Sequence, residues 1–344
     1  MRADSRAKQY KNDHILRAVL IMNRFVASLV LPAFLLACGG GSNPFTPDPA
    51  APDPGTGGDG DNPTDAGIPT ALAGDLTRLN YNAATQTLTV EGLTLDGGDD
   101  PLVYRRRPGL DRNGYQAYTF QDDGRDRHYT IYVAEANNNS GVRAGTGASG
   151  GVRNRFFGGG YYERDGDFSP ATGQVSYAGN YLGVTNLSGS GEDLTPPPAG
   201  LDPDLVPTQA AEVTGRVELQ ANFGDDATVE GNIIERTIVD GGTALPSIVL
   251  VNTPISSDGT FVGQAEYEQG DFPGENVIGQ KIGDYGGIFG GTNASGVAGV
   301  IHLDEFDGPN NPLGLENEEE YGVFVLDQCG QPVEDATGCA GTNP

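Results

Sequence analysis

The sequence predicts an all-β protein: a C-terminal soluble eight-stranded antiparallel up-and-down barrel, preceded by a smaller handle-like β-sheet module. Three observations predict it. From about residue 72 onward, apolar and polar residues alternate in short runs, the period-2 pattern of strands with one face buried. Gly, Asn and Asp punctuate the runs, and the 53 glycines interrupt every candidate helix after residue 38. The last eight runs are joined mostly by short turn sequences, which suits a sheet that closes on itself and so removes its edges.

Residues 1–37 read as an export signal, with Met1 or Met22 as its start. Arg24 precedes the apolar run Phe25–Ala37. A cation, about a dozen apolar residues and a small residue before a cut site are the parts of a secretory signal. The run contains Pro32 and falls short of the roughly 20 residues of a bilayer-spanning helix. It ends in Leu35-Leu36-Ala37-Cys38, which resembles a bacterial lipobox. That resemblance implies lipidation of Cys38 and anchoring of the mature chain to a membrane. Gly39, where an Asp would imply retention at the inner membrane, fits delivery to the outer membrane.

From Cys38 onward the chain carries 14 Lys and Arg against 45 Asp and Glu, a net charge of −31. Nucleic acids and anionic lipid surfaces are bound through cationic contacts, so nucleic-acid binding is excluded as a function class. Residues 38–71 are rich in Pro, Gly and Asp and too poor in apolar residues to bury a core, so they read as a disordered tether. Asp59, Asp61 and Asp65 lack the Gly and the distal Glu of a calcium loop, and no metal ligand set is expected.

Residues 72–171 read as the small β-rich module. Leu76–Tyr81 and Thr87–Leu93 form one hairpin; Tyr115–Phe120 and His128–Ala134 form a second, across the polar turn 121–127. Phe156–Tyr162 is aromatic and glycine-rich. The module holds 11 Arg against 13 acids, and Arg105, Arg106, Arg107, Arg112, Arg125 and Arg127 form its basic cluster. Two readings stand side by side: contact with acidic surroundings, or a ligand site, because guanidinium forks suit carboxylates and phosphates.

Residues 172–327 read as the barrel, with strands Val175–Val184, Ala211–Phe223, Thr228–Ile238, Ala244–Asn252, Gly259–Tyr267, Gln280–Phe289, Ser295–Leu303 and Glu320–Leu326. The exception to the short turns is the Pro-rich excursion 186–210, a long link that reads either as a functional loop or as a disordered insert. Arg216, Arg236 and Lys281 are the cations set against 27 acids in residues 172–344. A membrane-spanning barrel is the alternative architecture, opposed by Glu230, Asn232 and Glu235 within one strand. In the tail, 328–344, Cys329 and Cys339 read as a disulfide closing a small loop in an exported chain.

At the barrel strands the chain resembles a family. The segment Ser176–Gly183 is similar to the "YxGxxxG" opening strand of transferrin-binding protein B-like surface lipoproteins. Ala221–Gly224 and Val229–Ile233 resemble that family's next hairpin, and Gly287–Val300 resembles its closing signature. Thr292 stands where the family commonly has Pro, and Ser295 where it has Glu. The resemblance implies a single lobe of handle plus barrel at a bacterial surface, and does not imply transferrin as ligand.

No Ser-His-Asp order, no Gly-x-Ser-x-Gly elbow and no phosphate loop appears, so the chain reads as a non-enzyme. The expectation is a non-catalytic lipoprotein of the bacterial outer membrane, at the cell surface or on the periplasmic face. It would bind a protein, haem or other ligand through barrel and handle loops, beside an outer-membrane translocator or receptor. No cofactor is expected; haem is kept only as a candidate ligand. A structural envelope lipoprotein without a dedicated ligand is the alternative.

Overall fold

The computed structural model describes residues 67–93, 101–152, 155–314, 317–332 and 335–340, all within one compact unit. The export signal, Cys38 and the tether up to residue 66 lie outside the described residues. A short helix, α1 (Thr70–Ala73), lies just across the expected end of the tether and buries Leu72 completely.

The first module is a seven-stranded antiparallel sheet in sequential order. Its strands are β1 (Leu76–Asn82), β2 (Thr87–Gly92), β3 (Leu102–Arg106), β4 (Gln116–Phe120), β5 (Tyr129–Glu135), β6 (Val142–Ser149) and β7 (Gly158–Arg164). The sheet curls so that Leu76, Leu79, Leu88 and Val90 of β1 and β2 share a core with Tyr104, Tyr118, Ile131 and Tyr161. Two strands, β3 and β6, go beyond the sequence expectation. In β3 the adjacent arginines mask an alternation in which Tyr104 is buried while Val103 and Arg105 are exposed. In β6 no alternation exists, because its small residues are covered on both faces.

The second module is an eight-stranded antiparallel barrel. It comprises β8 (Gln174–Ser188), β9 (Ala210–Asn222), β10 (Thr228–Ile238), β12 (Ile248–Pro254), β13 (Thr260–Tyr267), β14 (Lys281–Gly290), β15 (Gly296–Leu303) and β16 (Glu320–Gln328), with a two-residue strand, β11 (Thr243–Ala244), beside β10. Strand β9 pairs with both β8 and β10, and β16 pairs with β8, which closes the barrel. The interior is filled rather than hollow where the Phe289 ring meets Tyr177, Phe223 and Phe261 at centroid distances of 5.5, 5.2 and 5.2 Å. Gly299 makes this filling possible: a Cβ there would sit 2.4 Å from the Phe324 ring.

The small sheet packs on one side of the barrel. Tyr132, Val142, Ala144, Ala148 and Tyr162 meet Leu182, Val184, Ile288, Ala298, Val300 and Val323. Strands β14 to β16 are therefore buried on both faces, whereas β13, β9 from Val213 onward and β10 as far as Ile234 alternate between core and solvent. The uncovered outer face carries Glu218, Gln220, Glu230, Asn252 and Gln264 among Val249, Val251 and Val262, a mixed lining unlike the continuous apolar band of a membrane barrel. Cys329 and Cys339, ten positions apart in sequence, are bonded with Cα atoms 5.5 Å apart, and Cys329 N donates to the Ser176 carbonyl of β8.

Candidate functional site

The 186–210 excursion runs as a strap from the barrel onto the small sheet. Asp193 fastens it. Its carboxylate accepts from Arg107 Nε (2.8 Å to the nearer oxygen) and from Thr119 Oγ1 (2.6 Å), and lies 3.2 Å from His128 Nε2. Thr195 N donates to Gln121 Oε1 at 2.8 Å, and Thr208 Oγ1 to the Gly151 carbonyl at 3.1 Å. Gly124 is required by this docking, since a Cβ there would lie 2.3 Å from the Pro196 carbonyl oxygen. Strap and sheet together leave a groove of about 220 Å³ lined by Val103, Arg105, Arg107, Thr119, Phe120, Gln121, Asp122, Asp193 and Thr195.

The six arginines of the basic cluster take different places. Arg106 forms a two-pronged pair with Asp111, both contacts 2.6 Å, over the Tyr118 ring. Arg112 pairs through Nε with Glu212 of the barrel at 2.8 Å, and its Nη2 lies 3.8 Å from Glu192 of the strap. Arg127 donates to the Arg155 and Val152 carbonyls at 2.7 and 2.9 Å and lies over Phe157. Arg107 is held through Nε by Asp193 and Thr119. The Arg105 and Arg125 side chains are exposed. Arg105 lies in strand β3 rather than in a loop, and among the described residues its guanidinium forms no ion pair or hydrogen bond.

Charge is managed closely around the strap. Burial works against ionisation of Asp193, but hydrogen bonds from Thr119, His128 and Arg107 outweigh it and hold the carboxyl below its usual range. Burial pushes His128 down, with the bond to Asp193 opposing, so the ring is neutral at physiological pH. Glu212 is pushed up by burial despite bonds from Tyr132 and Arg112.

A second pocket, also about 220 Å³, lies at the seam between sheet and barrel. Asn113 and Glu135 line it from the sheet, Asn180 and Asp327 from the barrel, and Asp335 from the disulfide-closed span. Asp335 is tied to Arg216 at 3.2 Å. Asp327 Oδ1 is buried without a hydrogen-bond partner, and burial raises that carboxyl to about 6. Among the described residues no group of three or more His, Cys, Asp or Glu side chains could hold one metal ion.

The two histidines among the described residues are separate. His128 is completely buried under the strap, while His302 stacks on Tyr321 at 4.3 Å. Sequence reasoning passed over the buried pair in the barrel, where Arg236 Nη2 meets Glu320 Oε2 at 2.6 Å with both side chains fully enclosed. A signal existed in Arg236, one of few cations in the barrel, set between Ile234 and Ile238. Strict alternation from Val229 and Ile233 instead points Glu235 inward. A bulge between Ile234 and Thr237, with Glu235 at φ +55°, reverses that order.

No protein-family model and no curated protein matches this sequence. Among solved structures, the chain is similar to crystal structures of transferrin-binding protein B. One is a double mutant of the vaccine antigen from Haemophilus parasuis Hp5, 14% identical over 72% of this chain and 43% of that chain, with a TM-score of 0.39. A single mutant of the same antigen is 11% identical over 73% and 44%, at 0.37. The isotype 1 protein from serogroup B Neisseria meningitidis is 15% identical over 73% and 51%, at 0.32. The matched region spans about half the length of those chains.

Proposed function

We propose that this protein is a non-catalytic binding lipoprotein, anchored to the bacterial outer membrane through Cys38, that engages its ligand where the strap meets β3 and β4. The observation that carries this reading is a convergence. The arginine-rich segment and the 186–210 excursion are far apart in sequence, the bonded Arg107 and Asp193 lying 86 positions apart. They meet on one groove, on a rigid frame of the kind that presents binding residues. A structural envelope lipoprotein without a dedicated ligand is the second reading, favoured by the internal use of Arg106, Arg112 and Arg127.

Two measurements test the proposal. Cys38→Ala should move the protein from the detergent phase to the aqueous phase; unchanged partitioning removes the anchor. The mature protein, immobilised through a C-terminal tag, should retain a component of an extracellular protein mixture in a saturable way. The Arg105→Gln and Asp193→Ala forms should lose it. A wild-type chain that retains nothing favours the structural reading.

A further inference from the structure

Resting on the binding reading above, we infer that the groove beside β3 is a docking track for an extended acidic peptide whose carboxylates fall on alternate residues. Val103, Arg105 and Arg107 follow one another at every second position, at the end of and just beyond a strand, and all three line the groove. At a strand rise of about 3.3 Å per residue, alternate side chains stand roughly 7 Å apart. An extended peptide has the same repeat, so its alternate side chains meet Val103, Arg105 and Arg107 in turn. An acidic polysaccharide has a repeat set by its sugar rings and gains nothing from this match.

The chemistry of the three positions sets the order of the ligand. Val103 is 67% exposed, one of the few large apolar side chains so open, and suits an apolar residue. The Arg105 guanidinium offers all its donors. Arg107 spends Nε on Asp193 and Thr119, and those bonds fix its plane. A guanidinium held this way loses less freedom when it meets a carboxylate. Asp193 accepts from Arg107 and Thr119 and lies beside His128, and among the described residues it makes no ion pair or hydrogen bond with Arg105. The protein as a whole carries −27, so its overall field opposes an acidic ligand. That field is screened beyond about 8 Å at physiological salt, and the affinity resides in the local contacts.

The test uses the mature protein, residues 38–344, and fluorescence anisotropy with the labelled peptide Leu-Thr-Glu-Thr-Glu-Gly and its reversed sequence. One of the two should bind saturably. The permuted peptide Leu-Thr-Thr-Glu-Glu-Gly, of equal charge, should bind several-fold more weakly. Arg105→Gln should weaken binding by about tenfold, a change typical of one lost charge-assisted contact, with an unchanged melting temperature. Four results overturn the inference: no saturable binding of either peptide, equal binding of the permuted peptide, no effect of Arg105→Gln, or binding of tetragalacturonate in preference to both peptides. If Arg105→Gln still retains the component held by wild type, the groove assignment falls while the binding reading stands; if wild type retains nothing, the binding reading itself falls.

Discussion

Removing the charge of Glu320 should cost this fold more than any surface change. Arg236 and Glu320 lie inside the barrel, both side chains fully enclosed, 2.6 Å apart. Tyr181 OH donates to Glu320 at 2.5 Å, and Arg236 Nη1 donates to the Pro246 and Phe306 carbonyls at 2.7 and 3.2 Å. Glu320→Gln preserves shape, and with its amide oxygen accepting from Arg236 and its amide nitrogen donating to the Tyr181 hydroxyl both contacts can persist, so the change removes chiefly the charge. Arginine cannot release its proton, and a buried guanidinium left without its counter-charge costs about 3–5 kcal/mol. For a body of this size, 1 kcal/mol corresponds to roughly 2–4 °C, so the melting temperature should fall by roughly 10 °C. Replacing both partners, Arg236→Met with Glu320→Leu, removes the stranded charge and should recover most of the loss. The chain has no Trp and 14 Tyr, so urea unfolding followed by tyrosine fluorescence and near-ultraviolet circular dichroism is the assay. A loss under about 1 kcal/mol for Glu320→Gln, or a double variant no more stable than the single one, would refute the reasoning.

Asp327 gives a pH signature. Burial raises its carboxyl from 3.8 to about 6, so the folded state holds the proton more tightly than the unfolded one. Its contribution to stability is fully present below pH 3.8 and is lost as pH rises through about 6. The full shift would be worth about 3 kcal/mol, but the group is only half-buried and screening reduces this to on the order of 1 kcal/mol. Asp327→Asn should therefore stabilise the protein at pH 7.5 and not at pH 4; equal effects at both pH values would contradict the assignment. Asp193→Ala should free the strap, and limited proteolysis should then cut within 189–209 many times faster than in wild type, while the barrel stays protected from hydrogen exchange. Gly299→Val should abolish folding or lower stability by about 3 kcal/mol or more through overpacking against Phe324, read by the same urea titration. A non-reduced digest should yield a linked Cys329–Cys339 peptide by mass spectrometry, and two free thiols would count against the bond.

The sequence by itself determined the class of fold and the strands of the barrel. The barrel strands present apolar residues inward, and one-sided burial writes a period of two that survives in β13, in β9 from Val213 onward and in β10 as far as Ile234, where the outer face meets water. Where two layers press together the signal fades. Strand β6 is covered on both faces and reads as a run of small residues, so it could not be told from a loop. Tertiary structure alone decided which arginines are occupied. The partners of Arg107 and Arg112 are Asp193 and Glu212, 86 and 100 residues away, and no local pattern links them. It also decided which way Arg236 points. A single residue at positive φ shifts the register there, and a slip of one residue exchanges the two faces of a strand. Alternation is a local property of the chain, whereas register, occlusion and ion pairing depend on what the other strands bring to the same place.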